Sequence, residues 1–372
     1  MQRKEEASLN RDQITSRQAF LILASLASTE VLRPSFRNFM LWAGNGGWLP
    51  ILAAVVIGLI LVGLIIRLAQ RFPQQSIAEY APRVWSPWLG YPLVIALAVA
   101  FFVQGTLSLR NVTEFVVAAI LQETPISAVI LVMLVLTASG TLAGLEGMVR
   151  FNELIFPVLI GTFFVILAST VQLNPWYLLP WLDQGIGKGV WDVFLDVVAD
   201  ITIVSYLLFI YPYLVDPENS KKAGRRYTLF GGGILFGTYL NTLLFLGHTA
   251  GSKFTWPYLT VTENIRLIER GEALFMVIWI LAAFLRISFC FYIAALGLSQ
   301  LIPGLKIAWM ALASLPLAAF IALRAPNLPT ALLLDEMVNR AFLFVGAGVP
   351  LFTLLLAWLR KMGGDSREQA PN

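Results

Sequence analysis

The hydrophobic residues of this chain form long apolar runs that are separated by short polar segments. About ten of these runs reach the roughly 20 residues that a helix needs to cross the hydrocarbon core of a bilayer. Because backbone groups inside a bilayer must be satisfied within the protein, the pattern predicts an all-α, polytopic membrane protein. The predicted spans are residues 17–42, 48–69, 89–119, 126–146, 151–173, 191–213, 227–249, 273–301, 305–324 and 341–360.

The first predicted span is interrupted near its middle by charged residues and a proline. Glu30 and Arg33 are three residues apart, so they share one face of a helix, and Pro34 interrupts the hydrogen bonding of that helix. Charged side chains within a span are costly and typically face a polar cavity or a partner. The segment therefore predicts a broken helix that contributes to a small-molecule site at mid-membrane.

The sixth predicted span has the same combination of polar residues and a late proline. Asp196, Asp200, Thr202 and Ser205 precede Pro212. Paired interruptions in two halves of a chain indicate an inverted repeat of five plus five spans, with broken helices one and six. The predicted organisation is an N-terminal segment 1–16, a single transmembrane domain 17–360 with repeats of about 17–173 and 191–360, and a tail 361–372.

Composition and charge support this interpretation and predict an orientation. The 372 residues are 58% hydrophobic and 13% charged, and the mean hydropathy is +0.75. A soluble domain of this length cannot bury so much apolar surface in one core. Sixteen Lys and Arg residues lie on the side of the two termini and six on the other side. The positive-inside rule therefore predicts that both termini are cytoplasmic.

Two further polar residues lie deep within apolar runs. Arg286 is too far from either end of the eighth predicted span to reach an interface, so it requires a carboxylate, for which Glu30 or Asp200 is the candidate. Two interpretations stay open: a structural ion pair between spans, or a fixed guanidinium that stands in place of a bound cation near the ligand. Gln104 either lines a cavity or bonds a neighbouring helix.

The sequence contains no signature of an enzyme. The single cysteine, Cys290, and the single histidine, His248, form no metal-ligand spacing, and no phosphate-binding loop or activated nucleophile is present. The net charge of +4 is explained by the basic loops and requires no nucleic-acid partner. We therefore predict no catalytic residue, no metal and no cofactor. The expected surroundings are a lipid bilayer, and the expected ligand is a small molecule.

A series of short blocks along nearly the whole chain is similar to one known family. In order and spacing they resemble the permease-like B subunits of bacterial spore germinant receptors. The blocks are residues 14–18, 72–80, 88–90, 109–115, 124–125, 144–150, 178–180 with Gly185, 211–213, 256–257, 268–275 with Trp279, and 294–298.

This resemblance implies a LeuT-like fold of the amino acid–polyamine–organocation superfamily and a function in nutrient sensing. A small amino-acid-like germinant would bind at mid-membrane, and its binding would be coupled to ion release. The implied location is the inner spore membrane, beside a receptor A-type membrane subunit and a C-type lipoprotein. Carried over residue by residue, the implied ligand pocket contains Ala27, Ser28, Thr29, Glu30, Gln104, Ile203, Val204, Ser205, Tyr206, Leu285 and Arg286.

The chain departs from the family pattern at this implied pocket. Ala27 and Thr29 replace small glycines, Glu30 replaces an apolar residue, and Arg286 replaces a small or polar one. Glycines allow a backbone to approach a ligand closely, so their loss narrows the pocket. Two alternatives to the receptor function follow. One is a stand-alone amino acid transporter of the same superfamily, and the other is an assembly scaffold with a pocket that a Glu30–Arg286 pair closes.

Overall fold

The computed structural model is an all-helical bundle, as the apolar runs predict. It describes residues 13–170, 172–181, 183–264, 271–302 and 304–363. Within these residues, eight helices are long and apolar enough to cross a membrane, and a bent pair of helices forms a ninth span. A shorter apolar helix, Ile126–Leu142, brings the number of apolar segments to ten. The spans, numbered in chain order, are Ser16–Leu32 with Ser35–Gly46, Trp48–Arg71, Pro87–Ala119, Ile126–Leu142, Gly144–Ala168, Lys188–Tyr213, Pro217–Gly251, Glu272–Leu301, Ile307–Arg324 and Leu328–Leu359.

Short elements connect several of these spans. An α-helix at Ile77–Trp85 precedes the third span, another at Pro257–Glu263 follows the seventh, and a 3₁₀ turn at Pro175–Leu178 lies before the sixth. The described residues contain no β-strand, although one isolated β-bridge joins Ile14 to Leu214. Most of the predicted N-terminal segment 1–16 and of the tail 361–372 lies outside the described residues.

The first span is broken where Pro34 was expected to break it. Its helix begins after Thr15, whose side chain accepts from the Gln18 amide in a capping box, and it ends at Ser28. A 3₁₀ turn at Thr29–Leu32 follows, and a second helix starts at Ser35. The two halves are bent by 64°. Because proline removes a backbone donor and clashes with the preceding turn, the chain changes direction here.

The sixth span is interrupted more gently. An α-helix at Lys188–Ile201 changes into a 3₁₀ segment at Thr202–Tyr206, and a short helix at Leu207–Ile210 follows directly. Pro212, which we expected to mark the interruption, instead lies in the final turn Tyr211–Tyr213. The interruption therefore lies upstream of the proline, and Lys188–Tyr213 forms one span without a bend as sharp as that of the first.

The centre of the bundle is formed by the third, sixth and eighth spans. The eighth span packs most extensively against the third. In the most apolar stretch of the sixth span, 83% of the residues are buried inside the protein, compared with 17% for the ninth. Since lipid solvates the apolar side chains of a peripheral helix, the ninth span belongs to the outer layer and the sixth to the core.

The tenth span begins earlier than the sequence predicts. We placed its start at 341, but the helix starts at Leu328, and a π-helical turn at Phe344–Gly348 joins its two parts. Asp335, Glu336, Asn339 and Arg340 lower the hydropathy of this segment, so it resembles a loop. The structure instead buries Asp335 and Asn339 against the sixth and first spans.

The start of the first span is tied to the end of the sixth. The Ile14 amide donates to the Tyr213 carbonyl at 3.1 Å, and the Val215 amide donates to the Ile14 carbonyl at 3.0 Å. The Asp216 carboxylate accepts from the Ser16 amide at 2.5 Å. A carboxylate at a helix N-terminus satisfies an otherwise unpaired amide and interacts favourably with the helix dipole. The two interrupted spans are therefore joined at one end of the bundle.

Candidate functional site

The break in the first span is held by an ion pair with the eighth span. Glu30 and Arg286 are in direct contact through Oε1 and Nη1, and both side chains are buried. This confirms the requirement of Arg286 for a carboxylate and identifies Glu30 as that carboxylate. The Nη1 of Arg286 also donates to the Leu26 carbonyl at 3.0 Å and to Thr29 Oγ1 at 3.1 Å.

The backbone groups that the break exposes are already satisfied by protein. Besides Arg286, the Leu26 carbonyl accepts from the Thr29 hydroxyl at 2.7 Å. The Thr29 carbonyl accepts from the indole of Trp279, also on the eighth span, at 3.0 Å. Buried carbonyls require such partners, because an unsatisfied one costs about 1–3 kcal/mol. In this conformation, the break is thus held by the eighth span, with two of its carbonyls engaged.

Arg33 is the centre of a second, larger set of charges. Its guanidinium contacts Glu30 at 2.8 Å, Asp200 at 2.5 Å, Asp335 at 3.2 Å and Asp196 at 3.8 Å. The three aspartates come from the sixth and tenth spans. We use the name charge cluster for the following set. It consists of Glu30, Arg33, Asp196, Asp200, Arg286 and Asp335.

One carboxylate of the charge cluster has a further donor. Asn339 donates through Nδ2 to Asp196 Oδ1 at 2.7 Å and to the Asp196 carbonyl at 3.3 Å. Asn339 is fully buried, and Asp196 is 4% exposed. The amide therefore fixes Asp196 between the sixth and tenth spans and leaves Arg33 as its more distant partner.

Two small cavities lie on either side of the Glu30–Arg286 pair. Cavity A includes Leu26 and Ala27, which precede the break, and cavity B includes Leu32 and Pro34, which follow it. Cavity A is lined by Leu26, Ala27, Glu30, Val197, Asp200, Ile201, Ile203, Tyr227, Thr228, Gly231, Gly232, Leu235 and Arg286. Cavity B is lined by Thr29, Glu30, Leu32, Arg33, Pro34, Gln104, Ser108, Asn111, Val112, Trp256, Trp279, Ala283, Arg286 and Asp335.

The volumes of the cavities show what this conformation can hold. The space open to the centre of a water molecule is ≈ 30 Å³ in cavity A and ≈ 40 Å³ in cavity B. A single water needs about 10–15 Å³ on this scale, so each cavity accommodates a few waters. An amino acid requires more space than that. In this conformation neither cavity can hold an amino acid, and both border on the Glu30–Arg286 pair.

The structure brings together some of the predicted site residues and separates others. Ala27 and Ile203 line cavity A, Thr29 and Gln104 line cavity B, and the cavities share Glu30 and Arg286. The remaining predicted residues are buried nearby but line neither of these two cavities. They are Ser28, Val204, Ser205, Tyr206 and Leu285.

Local contacts explain the position of two of these residues. The Ser28 hydroxyl donates to the Ala24 carbonyl at 2.8 Å, within its own helix. The Tyr206 hydroxyl donates to the Ala19 carbonyl at 3.2 Å, between the sixth and first spans. Both side chains therefore support the helices around the site.

Sequence reasoning missed several residues of the site. Asp335 falls between the predicted spans 305–324 and 341–360, and the predicted site residues do not include Trp279, Ser108 or Asn111. The signal that identifies Asp335 is a carboxylate directly after Leu332-Leu333-Leu334. Among the described residues, no group of three or more His, Cys, Asp or Glu side chains is arranged to hold a metal ion.

Comparisons with known proteins identify the family of this chain. A family model described as "Spore germination protein" (Spore_permease) matches residues 14–328. Among its relatives from Bacillus subtilis (strain 168), spore germination protein YndE is 25% identical over 328 residues, covering 85% of this chain and 88% of the relative. Spore germination protein KB is 25% identical over 304 residues, with coverage of 79% and 80%. Spore germination protein B2 is 22% identical over 335 residues, with coverage of 87% and 89%.

The fold is shared with a solved transporter. MHP1, a nucleobase-cation-symport-1 family transporter in a closed conformation with bromovinylhydantoin bound, aligns with a TM-score of 0.63. The alignment covers 88% of this chain and 77% of that protein at 16% identity. It confirms the predicted LeuT-like fold. The apolar helices and the family match together show that this is an integral, multi-pass membrane protein. The chain belongs to the Spore_permease family of spore germination proteins.

Proposed function

We propose that this chain is the nutrient-sensing subunit of a spore germination receptor. A small amino-acid-like germinant binds at mid-membrane, and its binding is coupled to ion release. The observation that carries the proposal is the buried Glu30–Arg286 pair between two closed cavities. In this proposal the chain is a single domain 17–360 with repeats of about 17–173 and 191–360, so Glu30 belongs to the first repeat and Arg286 to the second.

The chemistry of the pair suits a ligand that carries both charges. An amino acid has a carboxylate that replaces Glu30 at Arg286 and an ammonium that replaces Arg286 at Glu30. Each buried charge thereby keeps a partner, which matters because an uncompensated buried charge costs about 3–5 kcal/mol. When contacts to the ligand replace the contact between Glu30 and Arg286, the first span separates from the eighth and cavity A becomes connected to cavity B. A ligand with higher affinity for this open state shifts the population towards it.

The receptor context supplies partners that the chain itself does not contain. In this proposal, the protein lies in the inner spore membrane with both termini in the cytoplasm. It acts with a receptor A-type membrane subunit and a C-type lipoprotein. Support comes from the match to spore germination proteins and from the excess of basic residues on the side of the termini.

Ligand binding to the purified full-length chain tests the site. A panel of amino acids is screened by thermal unfolding, since a ligand at a concentration of 100 Kd stabilises the native state by about 2.7 kcal/mol. We expect at least one zwitterionic amino acid to raise Tm, and we expect Arg286→Ala and Glu30→Ala to abolish the shift. Glu146→Gln, which removes an exposed carboxylate paired with Arg150, is the control and should keep it.

The same variants test the coupling in spores. Ion release from spores that carry Glu30→Ala or Arg286→Ala should lose its dependence on the germinant. Ligand-dependent release that is unchanged in both variants would contradict the proposed site.

A stand-alone amino acid transporter is the second candidate. The observation that favours it is the fold shared with a closed symporter. Concentrative uptake of an amino acid by the purified chain alone in liposomes would support it, and absence of uptake would leave the receptor proposal in place. A thermal shift that the site variants abolish would also exclude the third possibility, a scaffold with a permanently closed pocket.

A further inference from the structure

The sixth span carries a row of carboxylates that leads to the Glu30–Arg286 pair. Asp192, Asp196 and Asp200 are spaced by four residues, so they lie on one face of the helix. At about 1.5 Å per residue, the row extends for roughly 12 Å. We call these three residues the carboxylate ladder. Its inner end, Asp200, contacts Arg33, which in turn contacts Glu30.

The tenth span faces the carboxylate ladder along its length. Arg340 contacts Asp192 at 3.0 Å, and Asn339 bonds Asp196. The Asp192 and Asp200 side chains are 14% and 12% exposed, and the ladder begins beside Arg340, whose side chain is 36% exposed, compared with 10% for Arg33 at its inner end. Rows of carboxylates that reach the middle of a membrane are typical of proton pathways.

The charge cluster at the inner end is not balanced. Its four carboxylates face two guanidiniums, so the fully ionised cluster has a formal charge of −2. The Arg110–Glu114 pair of the third span, in contrast, is matched one to one. Buried charge without compensation is strongly destabilising, and a carboxylate can relieve it by binding a proton.

Two buried side chains independently require a hydrogen-bond donor at this place. Gln104 Oε1 has no hydrogen-bond partner in the described protein, and the residue is 4% exposed. It lines cavity B together with Glu30, Arg33 and Asp335. Asn339 Oδ1, beside Asp196, is likewise unpartnered and fully buried. Both atoms are acceptors, so the ligand that the site lacks is a donor as well as a cation.

A proton carried on water satisfies each of these requirements. Cavity B accommodates a few waters, and a protonated carboxyl group or a hydrated proton donates hydrogen bonds. Within the described part of residues 13–363, no group of three or more acidic, His or Cys side chains is arranged to hold a metal ion.

We propose that the carboxylate ladder Asp192–Asp196–Asp200, together with Asp335, takes up protons from one face of the membrane and passes them to the charge cluster. A hydronium ion gives its proton to a carboxylate oxygen: one O–H bond of the hydronium breaks, the carboxyl O–H bond forms, and a water molecule is left, with no change in oxidation state. Protonation of Asp200 removes the charge nearest to Arg33, which then keeps Glu30, Asp335 and the more distant Asp196 as partners. Competition between Arg33 and Arg286 for Glu30 increases, so the pair that separates the cavities becomes sensitive to pH.

The charged and titratable groups that surround Asp196 and Asp200 come from several spans. The first span contributes Glu30 and Arg33, and the second span packs on this part of the sixth with apolar atoms, such as Gly58 on Ile201. The other groups are Tyr227 of the seventh span, Arg286 of the eighth, and Asp335, Glu336 and Arg340 of the tenth. The proposal goes beyond ligand sensing and does not rest on it, because proton uptake needs no germinant.

Infrared spectroscopy of the full-length protein in nanodiscs tests the proposal without a ligand. A protonated carboxyl group has a C=O stretching band that a carboxylate lacks. At pH 7, exposed carboxyl groups with ordinary pKa values near 4 are ionised, so they do not contribute to this band. We expect the band in the wild-type protein at pH 7, its loss at higher pH, and its reduction in Asp196→Asn and Asp200→Asn. Glu146→Gln should leave it unchanged.

The outcomes decide the proposal even if a variant does not fold. Absence of the band from the wild-type protein at pH 7 would overturn the proposal on its own. A band of full intensity in Asp196→Asn, Asp200→Asn and Asp335→Asn would also overturn it. Loss of the band on addition of potassium or ammonium chloride at constant pH would overturn the proposal as well, because another cation would then occupy the site.

The route along the ladder has a kinetic test. After a rapid drop in pH, Asp192→Asn should slow the appearance of the band severalfold, with little change in its final intensity. An unchanged rate would show that protons reach the cluster by another path. Because these measurements use no germinant, the proton pathway can fail while ligand sensing survives, and the reverse also holds.

Discussion

The first and sixth spans are both interrupted beside cavity A, but in different ways. The first span is bent by 64° at Pro34, and its 3₁₀ turn contains Glu30. The sixth span has no comparable bend at Thr202–Tyr206, and its acidic residues Asp196 and Asp200 lie in the regular helix before that segment. One interruption therefore carries charge at the break itself, and the other carries charge beside it.

The two interrupted spans are held in place by different neighbours. At the first break, the exposed carbonyls are bonded by Arg286 and Trp279, so the bend and the eighth span depend on each other. In the sixth span, backbone hydrogen bonding continues within the span, and the row of aspartates is held against the tenth span. We infer that the first span forms the part that opens and that the sixth span forms the rigid wall.

Removal of Arg33 should have the largest effect on this arrangement. Arg33→Ala leaves four buried carboxylates without their common partner, so we expect a loss of about 3–5 kcal/mol in the free energy of unfolding. Arg37→Ala is the matched control, because Arg37 makes one hydrogen bond, to the Ser252 carbonyl at 3.0 Å. Thermal or denaturant unfolding in detergent measures both. Similar losses in the two variants would show that Arg33 does not organise the cluster.

Neutralisation of one carboxylate should have different effects on stability at Glu30 of the first span and at Asp200 of the sixth. Glu30→Gln deprives the buried Arg286 of its carboxylate, and we expect a loss of about 3 kcal/mol. Asp200→Asn keeps an oxygen for Arg33 and lowers the excess negative charge, so its effect should be neutral or stabilising, within about 1 kcal/mol. Unfolding measurements on both variants at one pH test this difference in stability. Equal destabilisation would contradict the charge imbalance.

A smaller effect is expected at the interruption of the sixth span. Tyr206→Phe removes the hydrogen bond to the Ala19 carbonyl at 3.2 Å and should cost about 1 kcal/mol. Tyr80→Phe is the control, since the buried Tyr80 hydroxyl has no hydrogen-bond partner among the described residues and its removal should be neutral or stabilising. Unfolding that ranks the two variants in the reverse order would show that Tyr206 does not hold the sixth span to the first.

The smallest effect on stability is expected at the contact between Asp216 and Ser16, which joins the end of the sixth span to the start of the first. Burial raises the pKa of Asp216, but hydrogen bonds from the Ser16 amide and the Asn219 side chain lower it by more, so its pKa lies below the ordinary value. A lowered pKa means that the ionised carboxylate stabilises the folded state. This contribution is fully present above the unfolded pKa of about 3.9 and is lost as the pH falls through the lower folded pKa.

Asp216→Asn should therefore reduce stability slightly at neutral pH and flatten the acid limb of the pH–stability profile. The variant and the wild type should converge at low pH, where the wild-type carboxylate is protonated. A constant difference between them down to low pH would mean that Asp216 acts through shape rather than charge.

Parts of the site follow from the sequence because local chemistry dictates them. A guanidinium in the middle of an apolar span requires a carboxylate, and the spans contain few, so the Glu30–Arg286 pair could be predicted. Pro34 predicted the bend because its effect is confined to the adjacent turn. Asp335 could not be placed in the same way. Its neighbours make residues 328–340 appear too polar for a span, and its partner, Arg33, lies 302 residues away in the chain.

The sequence by itself determined the all-helical membrane architecture and the bend of the first span. These depend on the length and hydropathy of each run and on the missing amide of one proline. Only the tertiary structure decided that four carboxylates share two guanidiniums, that the freed carbonyls are satisfied, and that the cavities are closed. Such properties depend on which side chains from distant spans meet in a medium of low polarity, where each buried charge must find its partner in another helix.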